Sequence, residues 1–379
     1  EGGPATIASF FEMVGFDPVR LANLGTGVER AAQVFDTLLR RDDLTDEVTG
    51  RLAKGISSED GITWVLELRE GVTFTDGTPL NAEAVIFNLN RHIAPDSTSF
   101  AKAMLSGITK MEATGEYQVT ITLAGPNGSF PLALTGSSPA SLIGSPTALA
   151  DPDAFNANPV GAGPFVFESW TRDSKLTLTR NPDYWNEGKP YLDGVEYKVL
   201  VDDDTRADDL ASGGSDLAFV LANRWNDMSK DDRIEVSPVP TGGQALIPNG
   251  SRSPGDDERV RQAIAMSLDG TVTANVLFGG TQVWDGDTEC IPFPKGSPAC
   301  APGIVNEQNI EKAKELVQSY IDDGGDPAVD LVYGSTLANQ GQYYQQQLTE
   351  IGLEVTPRNL DIAGYTQAQS SGDYGIFVG

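Results

Sequence analysis

Residues 68–91 read LREGVTFTDGTPLNAEAVIFNLNR, and the seven residues before them, GITWVLE, lead straight in. Across 62–69 the chain alternates: Ile62, Trp64, Leu66 and Leu68 face one way, Thr63, Val65, Glu67 and Arg69 the other. That period of two predicts a half-buried strand. Asp76-Gly77-Thr78-Pro79 then reads as a tight turn. Asn81 sits where a helix N-cap belongs, with Glu83 in the first turn near the positive end of the helix dipole. Val85, Ile86, Leu89 and Ile93 follow at helical spacing and predict its buried stripe. No Ser, Cys or His in this strand–turn–helix is placed for chemistry, so it reads as scaffold.

Upstream, Ala31, Val34, Phe35 and Leu38 recur as one face of an amphipathic helix after a short strand and a Pro- and Gly-punctuated loop. Downstream, EYQVTITL alternates with Tyr117, Val119, Ile121 and Leu123 on one side. A small-residue stretch over 125–150 predicts loops and one short helix. Strands follow at SKLTLTRN and VEYKVLVDD, then a helix over Arg206–Ser212 and the segment SDLAFVL. The second half changes character. DDERVRQAIAMSLDGTVTANVL predicts one long helix with Val260, Ile264 and Leu268 four apart, and NIEKAKELVQSYIDDGG a second with a glycine stop. AVDLVYGS, QGQYYQQQLTEIG and LEVTPRNL add strand, helix, strand, a β-α-β order that predicts a second α/β domain from about residue 240.

The 379 residues suffice for two or three cores, and 39% hydrophobic with 21% charged residues is ordinary for a globular protein. No apolar run approaches the ~18 residues that span a bilayer. Lys and Arg number 26 against 54 Asp and Glu, a formal charge of −28. Such a surface argues against nucleic acid and against anionic lipid. Asp202-Asp203-Asp204 suggests calcium, yet no EF-hand spacing follows. Cys290 and Cys300 flank a Pro- and Gly-rich loop, ECIPFPKGSPAC. A disulfide in an oxidising compartment is expected there, with free thiols as the alternative. His92 is the only histidine, without a nucleophile motif beside it. No GxSxG, HExxH or GxxxxGK[ST] occurs, so neither catalysis nor a cofactor is expected. Trp225, Trp284, Tyr333, Tyr343, Tyr344 and Tyr365 lie in or beside expected loops and element ends, suited either to packing or to lining a ligand cleft.

GITWVLELREGVTFTDGTPLNAEAVIFNLNR resembles the signature of the extracellular solute-binding family 5 of bacterial ABC importers. The matching residues are Leu68-Arg69, Gly71-Val72, Phe74, Asp76-Gly77, Pro79-Leu80 and Ala82-Glu83. Collinear with it, VFDTLLR, NPVGAGPFVFESW, RNPDYWNEGKPYLDGVEYKV, LASGGSDLAF, DDERVRQAIAMSLD and LTEIGLEV are similar to further blocks of that family. ALIPNGSRSPGDDERV is looser than the family pattern. The resemblance implies an α/β, two-lobed periplasmic-binding-protein-like fold of cluster C type. Residues 1–40 and 161–240 would form the core of lobe I, 41–160 its extra subdomain, and 241–379 a lobe II completed by roughly 100 further residues.

By position, the ligand-facing residues that the resemblance implies are Asn23, Gly25, Thr26, Phe219, Leu221, Trp225 and Gln244, with Tyr333, Ser335 and Tyr365 from lobe II. The implied mechanism is closure of two lobes over a solute, followed by docking of the closed form on a membrane permease. Short peptides are the expected ligand. Oligosaccharides or glycosides, a nickel chelate, and a sensor that does not transport are the alternatives. A monomeric, extracytoplasmic protein is expected, either periplasmic or a cell-surface lipoprotein, its export signal lying outside this chain.

Overall fold

The computed structural model describes residues 2–21, 26–42, 45–220, 224–237, 245–278 and 307–379. Contacts divide the chain into two compact units, Glu1–Val220 and Leu221–Gly379. The first unit begins with β1 (Pro4–Ser9), α1 (Thr26–Phe35), β2 (Leu39–Arg41), β3 (Val48–Gly50), β4 (Ala53–Ser57), β5 (Thr63–Leu68) and α2 (Ala82–Ile93). It continues through β6 (Ile108–Gly115), β7 (Gln118–Leu123), α3 (Pro152–Ala157), β8 (Phe165–Thr171), β9 (Lys175–Arg180), β10 (Gly194–Val199), α4 (Asp203–Ala211) and β11 (Leu217–Ala218).

Two sheets organise this unit. One has the order β11-β1-β10-β9-β8, with β1 parallel to both β10 and β11 and the remaining pairs antiparallel. Val28, Ala31, Val34 and Phe35 of α1 pack on Leu176, Leu178, Val195 and Tyr197 of that sheet. The other, β4-β5-β7-β6, is antiparallel throughout. Its inner face carries Trp64, Leu66, Leu68, Val119, Ile121 and Leu123, against Val85 and Leu89 of α2. The opening strand–turn–helix is therefore the spine of this second sheet, and its strand alternation, turn and N-cap are realised. Gly77 has φ +81, the Thr78 amide donates to Asp76 Oδ1 at 2.9 Å, and the Ala84 amide donates to Asn81 Oδ1 at 3.0 Å.

Two details differ from the periodicity. The helix carrying Ala31, Val34 and Phe35 stops before Leu38, because Asp36 turns left-handed at φ +59. The buried face of α2 also includes Asn88 and His92, whereas Ile86 and Ile93 are only partly buried. Asn88 is paid for in hydrogen bonds: its Nδ2 donates to the carbonyls of Ala84 and Gly144 at 2.9 Å each, and its Oδ1 accepts from the Gly144 amide at 3.1 Å. His92, 1% exposed, places Nδ1 2.6 Å from Ser99 Oγ. Burial first, and the neighbouring Arg91 cation second, push its pKa down from 6.5 to about 4. The unfolded chain takes up this proton below about pH 6.5 and the folded chain only near pH 4. Stability is thus expected to fall by about 3 kcal/mol as pH drops through that window. Denaturant midpoints of wild type and His92→Gln measured across it should converge as pH falls.

Glycines at 161 and 163 lock the first unit's two cores together. A Cβ on Gly161 would lie 2.2 Å from the Val34 carbonyl oxygen and one on Gly163 2.5 Å from the Val34 carbonyl carbon. The Gly163 amide donates to that oxygen at 2.8 Å, and the Thr75 amide donates to the Gly161 carbonyl at 2.9 Å. The GAG of residues 161–163 is close approach of backbone to backbone.

The second unit comprises α5 (Trp225–Met228), β12 (Leu246–Pro248), α6 (Glu258–Met266), α7 (Gly270–Phe278), α8 (Ile310–Asp322), β13 (Ala328–Gly334), α9 (Ala338–Glu350), β14 (Glu354–Leu360), α10 (Ile362–Ser371) and β15 (Ile376–Val378). Its sheet runs β12-β15-β13-β14, with β13 parallel to β14 and β15 and β12 antiparallel. The helix expected over 256–277 is two helices. Ser267 Oγ donates back to the Ile264 carbonyl at 2.8 Å, and Asp269 Oδ1 accepts from the Val272 amide at 2.8 Å to cap the second. Both partners are local, so Ser-Leu-Asp stops one helix and starts the next. Among the described residues no helix is long and apolar enough to cross a membrane.

Candidate ligand-binding site

Open α/β sheets bind ligands beyond the carboxyl ends of their parallel strands, where backbone groups and loops converge. Each unit has one such edge. In the first it is formed by Ser9, Val199 and Ala218, the last residues of β1, β10 and β11. Two buried arginines organise it. Arg30 of α1, 2% exposed, donates to Ser9 Oγ at 2.5 Å and to the Phe11 carbonyl, and lies over the Tyr197 ring at 5.6 Å. Arg206 of α4, also 2% exposed, donates through Nε to the Phe219 carbonyl at 2.8 Å and through Nη1 to the Leu200 and Val201 carbonyls at 2.7 Å each. Its Nη2 meets Asp203 Oδ1 at 2.5 Å, and the guanidinium lies 5.5 Å from the Phe10 ring centroid. Burial lowers the pKa of both arginines, against the pull of nearby carboxylates. Arg206 thereby fastens the ends of β10 and β11 under the aromatic residue that leaves β1.

In the second unit the edge is formed by Gly334, Leu360 and Val378. Tyr365 of α10 donates its hydroxyl to the Val378 carbonyl at 2.8 Å and stacks on Phe377 with centroids 4.5 Å apart. A Cβ on Gly334 would only touch the Tyr365 ring, at 3.6 Å. Tyr333 belongs to the opposite face, buried with Val260, Val317 and Leu348, and its ring lies where a side chain at Gly341 would have to be. Ser335 is exposed and opens the short turn before α9.

Of the residues expected at the ligand, Ser335 and Tyr365 share the carboxyl edge of the second sheet, whereas Tyr333 faces that unit's core. Phe219 lies at the carboxyl edge of the first sheet, half exposed. Thr26 begins α1, and Trp225, partly exposed, begins α5. Asn23, Gly25, Leu221 and Gln244 lie outside the described residues, as do Trp284, Cys290 and Cys300. Tyr344 is a core residue of α9. Phe10 and Arg206, which the sequence did not single out, are part of the same edge as Phe219; a phenylalanine pair after the first strand, Phe10-Phe11, was the available signal.

The Asp202-Asp203-Asp204 cluster is a helix start: Asp202 Oδ1 accepts the Thr205 amide at 2.8 Å and Asp203 pairs with Arg206. No group of metal-ligating side chains occurs among the described residues. A groove of about 600 Å³ between β2–β3, β4 and residues 128–132 holds Lys54 and Asp46, each already paired, with Glu70 and Arg41.

Solved structures similar to this chain include periplasmic binding proteins. The PBP AgaA of A. tumefaciens R10, in complex with agropinic acid, matches all of this chain and 77% of its own at TM-score 0.85 and 29% identity. The ABC transporter-associated periplasmic binding protein DppA of Helicobacter pylori, in complex with peptide STSA, matches all of this chain and 78% of its own at TM-score 0.83 and 24% identity. The class is therefore a binding protein of cluster C type, mixed α/β with several sheets. The model of the bacterial extracellular solute-binding proteins, family 5, matches residues 47–379, and the chain belongs to that family. Among curated relatives, the glutathione-binding protein GsiB of Salmonella typhi is 30% identical over 339 residues, 86% of this chain. The chain spans 64% of that relative's length.

Proposed function

We propose that this chain is the solute-capturing part of an ABC importer, taking up a short peptide by closing its two units over it and handing it to a membrane permease. Family membership across residues 47–379 carries the reading. The name of the glutathione-binding relative and the peptide held by DppA support a peptidic solute. Each unit offers the carboxyl edge of a parallel strand set, where main-chain donors and acceptors meet a peptide backbone. Phe219, Thr26, Trp225, Ser335 and Tyr365 are the described candidates for contact, and Asn23, Gly25, Leu221 and Gln244 complete the set. On this reading the protein acts outside the cytoplasm as a monomer, in the periplasm or as a cell-surface lipoprotein, and performs no chemistry on its cargo.

A nickel chelate is less favoured, because the single imidazole is buried on Ser99 and cannot add a nitrogen ligand to the metal. A small sugar-derived acid is the second reading, favoured by the likeness to AgaA with its agropinic acid. A thermal-shift screen of dipeptides, tripeptides, sugars and sugar acids separates the two. A true ligand at 100 times its Kd adds about 2.7 kcal/mol to stability. Stabilisation by sugars or sugar acids alone overturns the peptide reading, and permease genes absent from the neighbourhood would favour a sensor.

A disulfide between Cys290 and Cys300, the pairing the sequence leads us to expect, would belong to the same extracytoplasmic reading. Its reduction is expected to cost about 2–3 kcal/mol. Intact-mass measurement after alkylation without reductant should show neither thiol labelled.

A further inference from the structure

We propose that the carboxyl edge of the first unit's sheet is an apolar shelf that accepts an aromatic or large aliphatic side chain of a neutral or cationic peptide. The inference rests on the solute-capture reading and names the solute class of that site. Three adjacent parallel strands, in the order β11-β1-β10, are each followed by apolar residues: Phe219 directly after β11, the Phe10-Phe11 pair directly after β1 and Val201 two residues beyond β10. Phe10 stacks on Phe219 with centroids 4.9 Å apart and planes 28° apart, and meets Phe11 in a tilted pair at 3.9 Å. Phe219 remains 49% exposed and Val201 65%. A stack of rings left half open at a strand edge is costly in water unless something covers it, and its position is where this fold class binds its solute.

The shelf is held rigidly. Arg206 binds the carbonyls of Phe219, Leu200 and Val201 at once, from beneath Phe10. Rings fixed in advance lose little entropy when a guest covers them. The charges around the shelf select against an anionic guest. Arg206 and Arg30 are buried and donate to the protein's own carbonyls, hydroxyl and carboxylate. Exposed Asp202 and Asp204 follow Val201 directly. A carboxylate brought to this edge meets acids, whereas an apolar side chain meets phenylalanine.

The test is isothermal titration of the full-length protein with tripeptides of alanine carrying Phe, Leu, Lys or Glu at each position in turn, with trialanine and reduced glutathione as references. Phe and Leu peptides should bind at least about tenfold more tightly than Glu peptides and glutathione, a ratio equivalent to about 1.4 kcal/mol. In Phe219→Ala the ratio of Phe-peptide to trialanine affinity should fall about tenfold, and Val201→Ser should lower it in the same direction. Phe87→Ala, an exposed phenylalanine on α2, should leave the ratio unchanged. Circular dichroism confirms that each variant is folded. Peptide binding with no preference for Phe or Leu, or with an unaltered ratio in both shelf variants, overturns the shelf and leaves solute capture standing. Binding of none of the peptides, with sugars or sugar acids bound instead, overturns both the shelf and the peptide reading.

Discussion

Asp36→Ala is expected to destabilise the first unit by about 3 kcal/mol, because Arg51, Tyr184 and Trp185 lose their shared acceptor, each at about 1 kcal/mol. Asp36 is 2% exposed and ends α1 in the left-handed region. Oδ1 accepts from Arg51 Nε at 3.0 Å and from the Thr37 amide at 2.7 Å; Oδ2 accepts from the Tyr184 hydroxyl at 2.6 Å and from Trp185 Nε1 at 2.9 Å. Burial and then Asp36 push the Tyr184 phenol well above its ordinary pKa, so it stays a donor at any working pH. Arg51 and Arg69 lie over the Trp185 ring at 5.9 and 4.4 Å. One carboxylate thus ties the end of α1 to the strand region around Arg51 and to the DYW of residues 183–185. Without it, Arg51, Tyr184 and Trp185 lose their acceptor together. Asp36→Asn should fall between wild type and alanine: asparagine tolerates the left-handed backbone, but its amide nitrogen cannot accept from Tyr184 or Trp185. Urea denaturation followed by tryptophan fluorescence measures both. A midpoint unmoved in Asp36→Ala would mean the hub is ornamental.

Arg206→Met should cost about 3 kcal/mol and weaken solute binding as well. The methionine fills the volume, yet three main-chain carbonyls lose their donor, each at about 1 kcal/mol, and Asp203 loses its cation. Because those carbonyls belong to Leu200, Val201 and Phe219, the loss also frees the ends of β10 and β11. Arg206 is a positioning residue, so its effect on binding should follow the ordering of the shelf. Arg206→Lys retains charge but not the planar fork that reaches several carbonyls, and should recover only part of the stability. Equal loss in the lysine and methionine variants would show that geometry alone matters; full recovery by lysine would contradict the fork.

Where residues speak to near neighbours, the fold was legible in the sequence. The alternation of Trp64, Leu66 and Leu68, the cap at Asn81 and the turn at Gly77 all depend on contacts within a few positions, and each is realised. Long-range pairing left weaker marks. β6 has both faces largely exposed and so no clean alternation, and β2 and β3 are three residues each. The break between α6 and α7 hides in Ser267 and Asp269, whose caps compete locally with a continuous apolar stripe. Buried polar groups were the hardest to foresee. Arg30, Arg206, Asn88 and His92 look like surface residues by type, and only the carbonyls and hydroxyls brought to them by distant strands and loops explain their burial. Of the candidate site, Phe219 was reached by resemblance, while its partner Phe10 lies 209 positions earlier in the chain, and no local pattern joins them.

The most direct test is equilibrium dialysis of the purified full-length protein against a defined mixture of di- and tripeptides, followed by denaturation and mass spectrometry of what it releases. Capture of a solute for transport predicts enrichment of one or a few peptides, each recovered at its original mass. Recovery of cleaved fragments, or of no peptide from a folded protein, would contradict it.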